Sequence, residues 1–185
     1  MQANGAHALI FLVNIVFTLY IAALFLRIIL LRLRADYYNP LVHFIARITD
    51  PPLRPFRKII PAFGGWDIAA MVLAVVCAFV CGFLVLHLEG FGMPWLYITI
   101  YTGRKLLAVL VNLYIFSILI QALMSWLGPQ QYNPLAVLLW RINEPLLRPV
   151  RRILPPLGGT FDLSPLVVIV LLEALSIFLG LPMYL

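Results

Sequence analysis

The chain has 185 residues, 64% of them apolar and only 11% charged, with a formal net charge of +6. Globular domains run at about 45–50% apolar and roughly 25% charged, so this chain has too little polar surface for a water-facing skin. That excludes an ordinary soluble enzyme, a disordered tail and a disulfide-stapled secreted scaffold, and points to a protein whose solvent is partly lipid. The surplus cations crowd beside apolar runs, so the expected partner is an anionic membrane surface and not nucleic acid.

The first apolar run, Ala8 to Leu31, is long enough to cross a hydrocarbon core of ~30 Å. No basic region precedes it and it is too long for a cleaved signal peptide, so it reads as a retained span over 8–33. Asn14 is placed to bond between helices. Arg27 either snorkels to the membrane edge or forms, with Gln121, an interior polar pair gluing two halves. The basic segment 34–67 follows. Asn39 is a helix cap with Pro40 at the first position, where its missing N–H costs nothing. Leu41, Phe44, Ile45 and Ile48 then form one apolar stripe of a short helix that Pro51 ends. A second short turn lies between Pro55 and Pro61 and carries Arg54, Arg57 and Lys58 at i, i+3, i+4, on one face if helical. Gly64 and Gly65 bend the chain back. Asp67 caps the next span or pairs with the arginines.

The second span is 68–88. Its Cys77 and Cys81 read as packing. The third span is 104–127, preceded by a further apolar stretch; either Arg104 and Lys105 snorkel outward, or 94–127 is one long helix. Asn112 is another candidate interhelical hydrogen bonder. The second basic segment, 128–162, repeats the first: Asn133 and Pro134 as cap and first position, Leu135, Leu138, Leu139 and Ile142 as stripe, and Pro145 as stop. Pro149 and Pro155 again bracket the cations Arg148, Arg151 and Arg152, and Gly158 and Gly159 make the bend. The fourth span, 163–183, holds Glu173 near its middle. That position makes it a candidate proton or cation site, or else a protonated interhelical bonder.

Fifteen of the 28 positions in 38–65 are identical in 132–159 without a gap. Two units follow, 1–93 and 94–185, each a span, a basic amphipathic segment and a span. Equivalent points are two crossings apart, so the units point the same way through the membrane, unlike the inverted repeats of many transporters. The expected fold is therefore all-α: four transmembrane helices as two parallel two-helix repeats, each with short interfacial or re-entrant helices between its spans. Eleven of the thirteen basic residues then fall on one side, which the positive-inside rule makes cytoplasmic, with both termini outside. One extra residue before Asp162 shifts it relative to Asp67 and leaves their equivalence open.

No phosphate loop, zinc pattern, haem signature or nucleophile–base set is present, so no enzyme, cofactor or metal is expected. The duplicated N-P…P-L-R-P-x-R-[KR]-I-x-P-x-x-G-G…D pattern resembles the YggT (YlmG) family of bacterial inner-membrane proteins with plastid relatives. The resemblance spans nearly the whole chain. It implies an inner-membrane role tied to osmotic stress and ion uptake. The alternative it implies is an organiser or assembly factor, of the septum, nucleoid or cytochrome-maturation type, docking partners through the basic segments. The binding residues expected are Arg54, Arg57, Lys58, Arg148, Arg151 and Arg152, facing anionic lipid or a partner protein; a homo-oligomer is the expected form if ions are conducted.

Overall fold

A computed structural model describes residues 2–35, 39–60, 65–90, 95–126, 133–154 and 162–181. Among these residues the chain forms six helices and no strand: α1 Gln2–Arg32, α2 Pro40–Ile59, α3 Ile68–Leu88, α4 Trp95–Trp126, α5 Pro134–Ile153 and α6 Ser164–Phe178. Pro61, Gly64, Pro155, Gly158 and Gly159 lie outside the described residues. Three helices are long and apolar enough to cross a membrane, over Gly5–Arg32, Ile68–Leu88 and Trp95–Ser125. The stretch before Arg104 is therefore not a separate element: α4 is one 32-residue helix.

The fourth expected span is shorter than its apolar sequence. α6 has 15 residues, or about 22 Å against a core of ~30 Å. Gly180 ends it at φ +58, a conformation glycine adopts without penalty. The Gly180 amide donates to the Ile177 carbonyl and the Leu181 amide to that of Ser176, each at 3.0 Å, the paired bonds of a Schellman turn.

Both basic helices differ from expectation in the same way. Pro51 and Pro145 do not stop them; α2 and α5 each run 20 residues with prolines inside. A helical proline loses one hydrogen bond and presses on the carbonyl four residues back. Here Pro51, Pro55, Pro145 and Pro149 all sit on the exposed side. On the inner side of α2, Ile45 and Thr49 before Pro51, and Leu53 after it, are buried against the bundle. Packing on both sides of the break keeps the helix whole. The caps are as the sequence indicates: Asn39 Oδ1 accepts from the Leu41 amide at 3.0 Å and Asn133 Oδ1 from Leu135 at 2.9 Å.

Helix α1 packs on α3 through Ile21, Leu24 and Ile28 against Ala69, Ala70, Leu73, Ala74 and Ala78. Alanines let the two backbones approach closely, which is how helices associate where no hydrophobic drive separates them from lipid. α1 and α4 lie side by side in the same direction. Asn14 meets Tyr101 and Lys105 near one end, and Tyr114 packs against the Leu30 cluster toward the other. At that second end Leu30 packs on Leu138 and Ile142 of α5, and Asn39 Nδ2 donates to the Pro134 carbonyl at 3.0 Å. The two basic helices thus start beside each other at one end of the molecule.

Candidate functional site

A helix that advances 100° per residue divides α2 into three arcs. Ile45, Thr49 and Leu53 face the bundle. Arg47, Asp50, Arg54, Arg57 and Lys58 make a polar arc. Phe44, Ile48 and Ile59 form an exposed apolar arc, with Ile59 82% exposed. Of the expected stripe, Ile45 is buried in the bundle, whereas Phe44 and Ile48 look outward. In α5 the matching residues Leu138 and Ile142 are buried, because they receive Leu30.

The cations of the expected triplet do not share one environment. Arg54, Arg57 and Lys58 are all exposed, but Arg57 also pairs with the buried Asp67. Its Nη2 lies 2.5 Å from Asp67 Oδ2 and its Nη1 3.5 Å from Asp50 Oδ1. Arg27, from the end of α1, enters the same cluster. Its Nε reaches Asp67 Oδ2 at 3.1 Å, its Nη2 reaches Asp50 Oδ1 at 2.7 Å, and its Nη1 donates to Thr49 Oγ1 at 2.5 Å. The Thr49 hydroxyl in turn donates to the Ile45 carbonyl at 2.7 Å. Asp67 also caps α3, accepting from the Ala70 amide at 3.2 Å, and its side chain is only 2% exposed. Burial alone would push this carboxyl up. The bond from Arg57, the Ala70 amide, the Arg57 charge and the Arg27 bond outweigh it and hold Asp67 below the usual carboxylate range. Arg27 thus does not pair with Gln121; it locks α1, α2 and the start of α3 together.

The second half carries a related cluster with one change. Arg151 Nε meets Asp162 Oδ2 and its Nη1 meets Glu144 Oε2, both at 2.8 Å. Asp162 Oδ1 accepts from the Ser164 amide at 2.9 Å. Asp162 therefore does for α6 and Arg151 what Asp67 does for α3 and Arg57, despite the one-residue shift. Burial again raises its carboxyl, and Ser164 and Arg151 bring it below the usual range. Gln121 occupies the position of Arg27 and meets Asn143, the counterpart of Thr49: its Oε1 accepts from Asn143 Nδ2 at 2.8 Å, while Asn143 Oδ1 accepts from Ser117 at 2.6 Å. Arg148 and Arg152, like Arg54 and Lys58, are exposed. Sequence reading passed over Thr49, Asp50, Asn143, Glu144 and Ser117. The signal was present: Thr49–Asp50 and Asn143–Glu144 are polar pairs at one offset, hidden when only identities are compared.

A second polar layer sits near the other end of the bundle. Lys105 is only 4% exposed and does not snorkel outward. Its Nζ lies 3.2 Å from Asn14 Oδ1, which also accepts from the Tyr101 hydroxyl at 2.9 Å. Cys81 Sγ is 3.7 Å from the same oxygen. Arg104 instead reaches the Leu179 carbonyl at 3.5 Å on the surface. Asn112 and Glu173 have no hydrogen-bonding partner among the described residues, and Glu173 is half-buried. No group of three metal-binding side chains occurs among the described residues.

The sequence profile of the CCB3/YggT family matches the chain twice, over residues 6–88 and 100–183. The chain belongs to the CCB3/YggT family. The two matches begin 94 residues apart, the offset that relates Arg57 to Arg151 and Asp50 to Glu144. Among relatives of this YggT-family chain, an uncharacterized protein of Pseudomonas aeruginosa is 39% identical over 161 residues, 86% of this chain and 81% of its own. The uncharacterized protein YggT of Escherichia coli K12 is 34% identical over 171 residues, 92% of this chain and 88% of its own. An uncharacterized protein of Vibrio alginolyticus is 35% identical over 176 residues, 92% of each chain. No solved structure matches the chain.

Proposed function

We propose that this is a non-enzymatic protein of the bacterial inner membrane, made of two half-units in one orientation. In this reading α2 and α5 rest on the cytoplasmic leaflet and the protein serves osmotic or ionic homeostasis. The observation that carries the placement is the three-way division of α2. One arc is buried in protein, one is charged, and one is apolar and exposed, which suits a helix lying between bundle, water and lipid. The outward cations Arg47, Arg54, Lys58, Arg141, Arg148 and Arg152 would meet anionic headgroups, each contributing on the order of 1 kcal/mol. The inner arginines set the pose of each helix and leave the outer ones to the membrane. At about 22 Å, α6 makes a fourth crossing with local thinning of the bilayer, the usual accommodation of a short span.

The osmotic and ionic part rests on the family resemblance. With so few spans per chain, conduction in this reading uses several copies. The test is ion efflux after hypo-osmotic shock from phosphatidylglycerol-containing vesicles holding the purified protein. The expected result is efflux above empty vesicles, reduced when the six outward cations are replaced by glutamine. Efflux equal to empty vesicles would remove the homeostasis reading.

A further inference from the structure

Helix α1 closes on the same turn as α6, but with a different residue. The Arg34 amide donates to the Leu31 carbonyl at 3.1 Å and the Ala35 amide to that of Leu30 at 3.0 Å, the paired bonds of a Schellman turn. The residue at the left-handed position is Arg34, at φ +48. Elsewhere among the described residues every positive φ belongs to a glycine: Gly65, Gly90 and Gly180. The repeat also has glycine here, since Gly128 stands 94 residues after Arg34. A side chain at this φ strains the backbone, and glycine would relieve it. Nor does the helix dipole account for the cation, because Arg32 already sits in the last turn of α1.

Arg34 lines a cavity of about 120 Å³ between the end of α1 and the first half of α2. Arg27 borders it too, and Leu30, Leu31, Val42 and Ile45 supply an apolar wall; no carboxylate lines it among the described residues. Arg27 directs one nitrogen each to Asp50, Asp67 and Thr49, which leaves two of its five N–H bonds. Arg34 has no hydrogen bond or ion pair among the described residues. Both cations are peculiar to this half, for positions 27 and 34 become Gln121 and Gly128 in the repeat. An unpaired guanidinium kept at a strained position, and a partly engaged one, thus border the same small opening.

We infer that this cavity is a binding site for an organic phosphate, with Arg34 as the main donor, Arg27 as the second, and the hydrocarbon part of the ligand leaving past the exposed Leu31. Guanidinium forks match phosphate oxygens in pairs. The space admits a phosphate group and not an acyl chain, which must lie outside. Two sources offer this chemistry: the phosphodiester of an anionic membrane phospholipid, or a free organic phosphate. The lipid source rests on the proposed placement of α2 at a membrane surface, and adds one specific site to the diffuse attraction of the outward cations.

The test is native mass spectrometry of the full chain in detergent, titrated in separate arms with phosphatidylglycerol, with glycerol phosphate and, as the same chains without phosphate, with diacylglycerol. One phosphatidylglycerol is expected to bind more tightly than any further copy, and diacylglycerol is not expected to bind. Arg34→Gly gives the backbone its preferred residue, so its unfolding midpoint should equal or exceed that of the wild type while the first phosphate ligand is held on the order of tenfold more weakly. Arg34→Asn, which also tolerates the left-handed conformation, decides the matter if Arg34→Gly does not fold. Whichever phosphate shows the tighter Arg34-dependent binding identifies the source. Replacing Arg54, Lys58, Arg148 and Arg152 together by glutamine is expected to weaken the later lipids and spare the first. Loss of the first lipid in that variant but not in Arg34→Gly would overturn this site and leave the surface reading standing. Undiminished binding of both phosphates in Arg34→Gly, or diacylglycerol bound as well as phosphatidylglycerol, would overturn the inference.

Discussion

Asp67→Asn tests the cluster logic most sharply, because it removes one charge and little else. Asparagine still offers an oxygen to the Ala70 amide, so the cap on α3 survives. What is lost is the acceptor for Arg57 at 2.5 Å and for Arg27 at 3.1 Å, at a side chain 2% exposed. Removing one partner of a buried, hydrogen-bonded pair typically costs about 3–5 kcal/mol. Arg27 keeps Asp50 at 2.7 Å and the Arg57 side chain, 43% exposed, is open to water, which places Asp67→Asn no higher than the lower bound, about 3 kcal/mol. The same change at Asp162 should cost much less. Its side chain is 30% exposed, and Arg151 keeps Glu144 at 2.8 Å; partly exposed pairs contribute up to about 1 kcal/mol. Reversible unfolding in mixed micelles by dodecyl sulfate titration reads both. The expected separation is about 2 kcal/mol, with Asp67→Asn the less stable. Equal costs, or a wild-type-like Asp67→Asn, would refute the assignment of Asp67 as the buried hub.

The remaining expectations concern pH, the second polar layer and one close approach. The folded-state carboxyl of Asp67 lies below its unfolded value of about 3.9. Its contribution is therefore complete above that pH and is lost as pH falls through the depressed folded value; unfolding measured from pH 6 to pH 3 should fall more steeply in the wild type than in Asp67→Asn. Lys105→Met should be neutral or stabilising in the same micelle assay, since it replaces a buried amine that has no carboxylate partner. Asn14→Leu should lose about 2 kcal/mol, since it strips the acceptor from both Lys105 and Tyr101. Gly82→Ala places a Cβ 2.7 Å from the Tyr101 ring, so α3 and α4 must part or the ring must move; a loss of about 1–3 kcal/mol is expected.

The long spans were legible because length and apolar content alone define them, and the register of the two halves was legible in the motif at an offset of 94 residues. The continuity of α2 and α5 was not. Proline is a local stop signal, and it was overridden by Ile45, Thr49 and Leu53 gripping the bundle on both sides of Pro51 and Pro52. Equally hidden was the split within the cation triplet. Arg54, Arg57 and Lys58 share a broad arc, and only the position of α3 decides that Arg57, at its edge, reaches the buried Asp67. The burial of Lys105 escaped for a related reason. Hydropathy treats a lysine near a span end as bound for water, whereas Asn14, distant in sequence, gives it an interior partner. The asymmetry at Gln121 was visible as a substitution, but its consequence, an open cavity beside Asp162, needed the geometry of α6.

The central claim is that both basic helices face the cytoplasm. Lys58→Cys and Arg152→Cys, each with Cys77 and Cys81 replaced by alanine, can be probed with a membrane-impermeant maleimide in intact cells and in inverted membrane vesicles. Protection of both positions in cells and labelling of both in inverted vesicles is the predicted result. Labelling of one position in cells and the other only in inverted vesicles would contradict the account.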